Sequence, residues 1–79
     1  MNTFYSKQAE KFLDKQNAKT FFRIADAIDK LPEGDVIRMK GYSLPTYRLT
    51  VGGFRIIFKR ETDNISVIKI DNRGQVYKK

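Results

Sequence analysis

Two adjacent glycines, Gly52 and Gly53, separate two runs in which apolar residues alternate with polar or basic ones, Tyr47-Arg-Leu-Thr-Val51 and Phe54-Arg-Ile-Ile-Phe-Lys59. This stretch constrains the fold more tightly than any other. A period of two with β-branched and aromatic side chains is what a half-buried sheet requires. A two-residue loop of glycines fits a type I′ or II′ turn, which needs positive φ where a Cβ would clash. That loop length sets a register with Val51 opposite Phe54, Leu49 opposite Ile56 and Tyr47 opposite Phe58. These six residues form one apolar face. Arg48, Thr50, Arg55 and Ile57 occupy the other, with the two arginines as diagonal neighbours on the side turned from the core. Like charges that close add nothing to a purely structural sheet, and an anionic ligand explains them naturally.

At 79 residues, the chain is expected to form a single domain spanning 1–79, near the small end of what folds alone. Six Phe and four Tyr supply much of the apolar area. With no cysteine, neither a disulfide nor a thiolate metal site is available, and the redox compartment is undetermined. Histidine is also absent. Acid-base chemistry must therefore come from Tyr, Lys, Asp, Glu or a polarised water. Sixteen Lys plus Arg against nine Asp plus Glu give a formal charge of +7, which suits a polyanionic partner, either nucleic acid or an acidic protein segment. No apolar run approaches the roughly 18 residues that cross a bilayer, and the first residues lack a signal-peptide core. The expectation is a soluble, cytosolic protein.

Asn2 to Tyr5 suffices for one edge strand, and Ser6 is placed to cap a helix from about Lys7 to Lys15 that buries Ala9, Phe12 and Leu13. Asn17 ends that helix or caps the next. From Ala18 to Leu31, Phe21, Phe22, Ile24, Ala25, Ile28 and Leu31 recur at spacings of three and four, and Pro32 and Gly34 stop the pattern. Phe12, Phe21 and Phe22 are expected in the core. Two helices so closely joined make an αα-hairpin whose apolar side covers the apolar sheet face. The fold class is therefore α+β, an antiparallel meander packed on an N-terminal helical hairpin.

Asp35 to Lys40 is either an irregular strand or an extended connector, and Gly41 to Thr46 is a loop. Ile65 to Ile70 is the last strand of the meander. A plain four-residue loop before it places Val67 and Lys69 on the core face. A bulge or odd loop places Ile68 and Ile70 there and keeps lysine out of the core, which is favoured. Glu61 and Asp63 are read as turn residues rather than metal ligands, and no metal or cofactor is expected.

Arg38-Met-Lys40-Gly41, then Tyr47 through Phe58, then Val67-Ile-Lys-Ile-Asp-Asn-Arg-Gly-Gln-Val-Tyr77, together with the opening Tyr5-Ser-Lys-Gln-Ala-Glu-Lys-Phe-Leu13, resemble the RelE/ParE superfamily of bacterial toxins over nearly the whole chain. The resemblance implies a toxin of a type II toxin-antitoxin pair. In the RelE branch such a toxin is an endoribonuclease (mRNA interferase) that cleaves messenger RNA in the ribosomal A site without a metal, by driving a 2′-hydroxyl onto the adjacent phosphodiester. Its partners would be the ribosome, the message and a RelB-like antitoxin that wraps around it as a hetero-oligomer. The ParE branch keeps the fold and inhibits gyrase without nuclease chemistry. A degenerate toxin that only binds its antitoxin is the third reading.

Carried over by position, the resemblance assigns catalytic roles to Arg48, Arg55, Arg73 and Tyr77, and an RNA-binding role to Lys40 and Arg48; Lys69, a cation that could compensate for Thr50, is a further RNA-binding candidate. Where the RNA-cleaving type has a second lysine on the strand of Arg48, this chain has Thr50. In-line attack by a 2′-hydroxyl builds charge on the non-bridging phosphate oxygens, and a bidentate arginine stabilises it, the role given to Arg55. A phenol titrates near about 10 when unperturbed, and neighbouring arginines favour its phenolate, so Tyr77 is the candidate general base. Arg73 would face the leaving 5′-oxygen, while Arg48 and Lys40 hold flanking phosphates. Read without the resemblance, Arg73 is a turn residue before Gly74 and Tyr77 a last core aromatic.

Overall fold

The computed structural model describes residues 2–31, 33–41 and 45–72; Pro32, Arg73, Gly74 and Tyr77 lie outside the described residues. The elements run β1 (Asn2–Tyr5), α1 (Lys7–Asp14), α2 (Ala18–Asp29), β2 (Asp35–Met39), β3 (Thr46–Val51), β4 (Phe54–Arg60) and β5 (Asn64–Asn72). All the strands join one sheet in the order β1-β5-β4-β3-β2. Strands β2 to β5 are the expected antiparallel meander, and the segment left open between strand and connector is a regular strand paired to β3. The all-antiparallel expectation fails at β1, which pairs parallel to β5 and makes the sheet mixed. A parallel neighbour needs a long connection rather than a tight turn. Here both helices and the meander supply it, and an alternating pattern in β1 carries no sign of strand direction.

The helices start where capping side chains allow. Ser6 and Asn17 each take an extended backbone and accept a hydrogen bond from the amide three residues on, Ala9 and Thr20, which satisfies a donor that the first turn leaves free. Ala9 and Leu13 of α1 and Ile24 and Ile28 of α2 are buried against one face of the sheet. On that face Leu49, Ile56 and Ile70 form a cross-strand row that is at most 1% exposed. Phe12 and Phe21 pack at its margin. Phe22 does not, contrary to expectation: it is 66% exposed. Adjacent helical residues are about 100° apart, so only one of the pair can face inward, and the Phe21 and Phe22 rings stand nearly perpendicular with centroids 5.5 Å apart.

The hairpin has the predicted register throughout. Of its two glycines only Gly52 has positive φ, +55°, the type II′ pattern. A Cβ there would also lie 2.6 Å from a guanidinium nitrogen of Arg23, which reaches over the turn from α2. Gly52→Ala is expected to cost about 1–2 kcal/mol, mostly from the left-handed backbone because the arginine tip can swing aside. A lower urea midpoint at unchanged slope would show it.

Strand β5 combines the two anticipated alternatives. Its loop is short, Glu61 and Asn64 exchanging backbone hydrogen bonds, so Ile65 and Val67 fall on the core face. A bulge then makes Ile68 the extra residue, because Val67 pairs with Phe58 and Lys69 with Ile57. Lysine stays outside, as favoured, but Val67 rather than Ile68 fills the core.

Beyond the end of β1, no strand of the described residues lies beside the outer edge of β5. Ser6 donates its hydroxyl to the Ile68 carbonyl at 2.8 Å, and the Gln8 amide donates to the Ile70 carbonyl and accepts from the Ile70 amide, both at 3.0 Å. A side-chain amide thus stands in for strand backbone, satisfying groups that would otherwise be orphaned.

Tyr5, packed at the core margin, has its phenol pKa raised, first by burial and then by the charge of Asp29. The folded state therefore favours neutral tyrosine. The associated stability is present below the ordinary value of about 10 and is lost as pH rises through the folded value. Tyr5→Phe should flatten that alkaline decline in midpoint-against-pH measurements.

Candidate functional site

Among the described residues, the second sheet face carries no helix. Register lays its side chains out in rows across the strands. One row reads Ile37, Arg48, Ile57, Lys69 and the next Asp35, Thr50, Arg55, Asp71. The structure thus brings Arg48, Arg55 and Lys69 together, as the sequence predicts. Lys40 is exposed just beyond the end of β2. Arg73 and Tyr77 follow β5 in the chain but lie outside the described residues.

The Nε atoms of Arg48 and Arg55 are both buried and both lack a hydrogen-bond partner. The ion pairs among the described residues are Lys30 with Asp26 at 3.1 Å and Lys69 with Asp71 at 3.7 Å, and neither arginine takes part. A buried guanidinium nitrogen without a partner costs free energy, because its water has been lost and nothing replaces it. Two such donors on one face form an arrangement whose hydrogen bonds await an external acceptor. A phosphate or carboxylate has the fork geometry to supply it.

Sequence reasoning missed the carboxylates. Asp71 stands directly across from Arg55 yet is paired with Lys69, and Asp35 closes the same row at the other edge. Their signal was the strand period itself, hidden by two unresolved questions: whether β2 existed, and where the bulge fell. Ile37, 46% exposed, and Ile57 flank Arg48 with apolar surface, which lowers the local dielectric around any bound anion. Thr50 is the direct cross-strand neighbour of Arg55. A lysine there would oppose like charge to like, so the uncharged residue eases the packing of Arg55 at the expense of one cation. No group of three or more metal-binding side chains occurs among the described residues, and none of their helices is long and apolar enough to cross a membrane.

A two-helix layer on one face of a five-stranded mixed sheet, with a basic second face, defines a small α+β class. Within that class the architecture is the RelE-like toxin fold. The crystal structure of the archaeal RelE-RelB complex from Pyrococcus horikoshii contains a chain that superposes with a TM-score of 0.76 at 23% identity, over 94% of this chain and 96% of that one. The RelB-RelE antitoxin-toxin complex from Methanococcus jannaschii gives 0.73 at 23% identity, with 94% of each chain covered. At that identity the likeness is one of fold. No protein-family model matches the sequence, and no curated protein is similar to it.

Proposed function

We propose that the protein is the toxin of a type II toxin-antitoxin pair and acts as a ribosome-dependent endoribonuclease on messenger RNA. The observation that carries this reading is the pair of buried, unpartnered guanidinium nitrogens of Arg48 and Arg55 on the helix-free sheet face. The fold shared with chains of RelE-RelB complexes supports it, and a RelB-like antitoxin is the corresponding protein partner.

In this mechanism Arg55 binds the scissile phosphate and stabilises the charge that develops on its non-bridging oxygens. Arg48, Lys40 and Lys69 hold neighbouring phosphates. Tyr77 takes the proton from the 2′-hydroxyl, the 2′-oxygen attacks phosphorus, and the bond to the 5′-oxygen breaks. The role left to Arg73 is to stabilise the departing oxygen, which is protonated to a 5′-hydroxyl, leaving a 2′,3′-cyclic phosphate. Ribosomal RNA aligns the message, so the protein provides only part of the positioning.

The test is brief induction in bacteria of the wild type and of an Arg55→Ala, Tyr77→Phe double variant, with mapping of message 5′ ends. New cuts in translated frames, lost in the variant, are the expected result. Growth arrest with intact messages and a DNA-damage response would instead identify a gyrase inhibitor. No arrest would identify a chain that only binds its antitoxin.

A further inference from the structure

The row beside Arg48 on the helix-free face reads Thr46, Lys59, Ser66, Phe4, crossing β3, β4, β5 and β1. Tyr5 packs against the core, so strand alternation turns Phe4 to the same face as the arginines. Phe4 is 55% exposed. The adjoining row places Asn2 beside Asn64 on that face. Next to Phe4's neighbour Ser66 a shallow depression is lined by Pro45, Lys59, Arg60, Glu61, Ser66 and Ile68. An open aromatic ring, two side-chain amides and the cation of Lys59 share one surface beside this depression. They are the elements that hold an unstacked nucleobase: a ring to stack on, amides to meet its edge, and a cation for the phosphate beside it.

We propose that Phe4 is a stacking platform for a base of single-stranded RNA, flanked by Lys59 and by the amides of Asn2 and Asn64. The proposal rests on the reading of this face as an RNA surface and adds a second subsite to it. Strands in a sheet are about 4.8 Å apart, and three strand spacings separate Phe4 from the strand of Arg48, so the two subsites are roughly 14 Å apart across the sheet. That distance corresponds to a few nucleotides of extended strand. The arginines meet the backbone at one end while a base outside the cleaved linkage is held at the other. Stacking tolerates any base, so the subsite contributes affinity and placement, with a preference for unpaired message.

The chain has no tryptophan, so Phe4→Trp introduces a single fluorescent reporter at an exposed edge position. A single-stranded oligoribonucleotide should quench its emission. Inorganic polyphosphate, which has the anions without the bases, should bind without quenching. Phe4→Ala should weaken oligoribonucleotide binding about tenfold, the loss of one base stack, with polyphosphate affinity unchanged, and Phe4→Tyr should retain binding. Arg55-dependent RNA binding with no quenching, and with Phe4→Ala equal to wild type, would overturn the subsite and leave the RNA reading intact. Absence of any RNA binding would overturn both. A response to a protein partner alone would reassign Phe4 to a protein contact.

Discussion

Arg55→Ala should reduce message cleavage by two to three orders of magnitude, the usual loss when one preorganised donor to a developing oxyanion is removed, about 2.7–4 kcal/mol. The same substitution should leave the fold almost as stable as before, and this contrast is the sharper part of the prediction. Truncation loses the packing of the arginine stem, about 0.8 kcal/mol for each buried methylene. It also removes the buried Nε that has no partner, a liability of about 1–3 kcal/mol. The two effects are comparable and opposite. A urea midpoint near that of wild type, with cleavage gone, is the expected outcome. Arg55→Lys should keep the charge and a near-wild-type midpoint but restore little activity, because a point charge does not reproduce the two-pronged hydrogen bonding of a guanidinium. A variant that unfolds easily yet cuts messages normally would make Arg55 a structural residue.

Ile56→Ala should be the most damaging single change to the fold. Ile56 is fully buried on β4, with Leu49 on one side and Ile70 on the other. Both neighbours belong to sheet backbone that cannot collapse into the space left behind, so the cost should lie in the range of about 2–5 kcal/mol. At about 0.05–0.15 kcal/mol per residue, a domain of 79 residues has a total stability of only about 4–12 kcal/mol. One side chain thus accounts for a large share of it. Urea denaturation should show a midpoint reduced by a third or more at unchanged slope. A shift below about 1 kcal/mol would mean that the central row is not the mechanical centre of the core.

How far the sequence could be read depended on which period governed each segment. Around Gly52-Gly53 the alternation, the turn chemistry and the loop length agreed, and the register of β3 with β4 was legible residue by residue. Ser6 marked the start of the first helix, while Asn17 fitted the end of one helix or the start of the next and proved to be the cap of α2. Legibility failed where two local rules competed. Phe21 and Phe22 both matched an apolar spacing, yet one helix face could take only the first. Val67 and Ile68 both suited the core, and a one-residue bulge decided between them. The parallel pairing of β1 had no local signature at all, since it joins the strand before the helices to the last strand of the meander. At the site, the positions of Arg48 and Arg55 followed from the hairpin alone, and that of Lys69 once the bulge was placed. The carboxylate of Asp71 beside Arg55 needed β5's register, which no local pattern supplied.

The strand order has a consequence for how the chain is made. β5, the last strand, is inserted between β4 and β1, the first strand, and Ser6 and Gln8 bind backbone groups of Ile68 and Ile70. Synthesis runs from the N-terminus, and contacts of such large sequence separation form slowly and late. The opening eight residues must therefore wait, unpaired, until residue 70 has left the ribosome. The β3–β4 hairpin with its two arginines can form earlier, but it has only one of its flanking strands until β5 is made. The basic face is therefore begun by a local hairpin and completed only by a strand that must also capture the N-terminal segment.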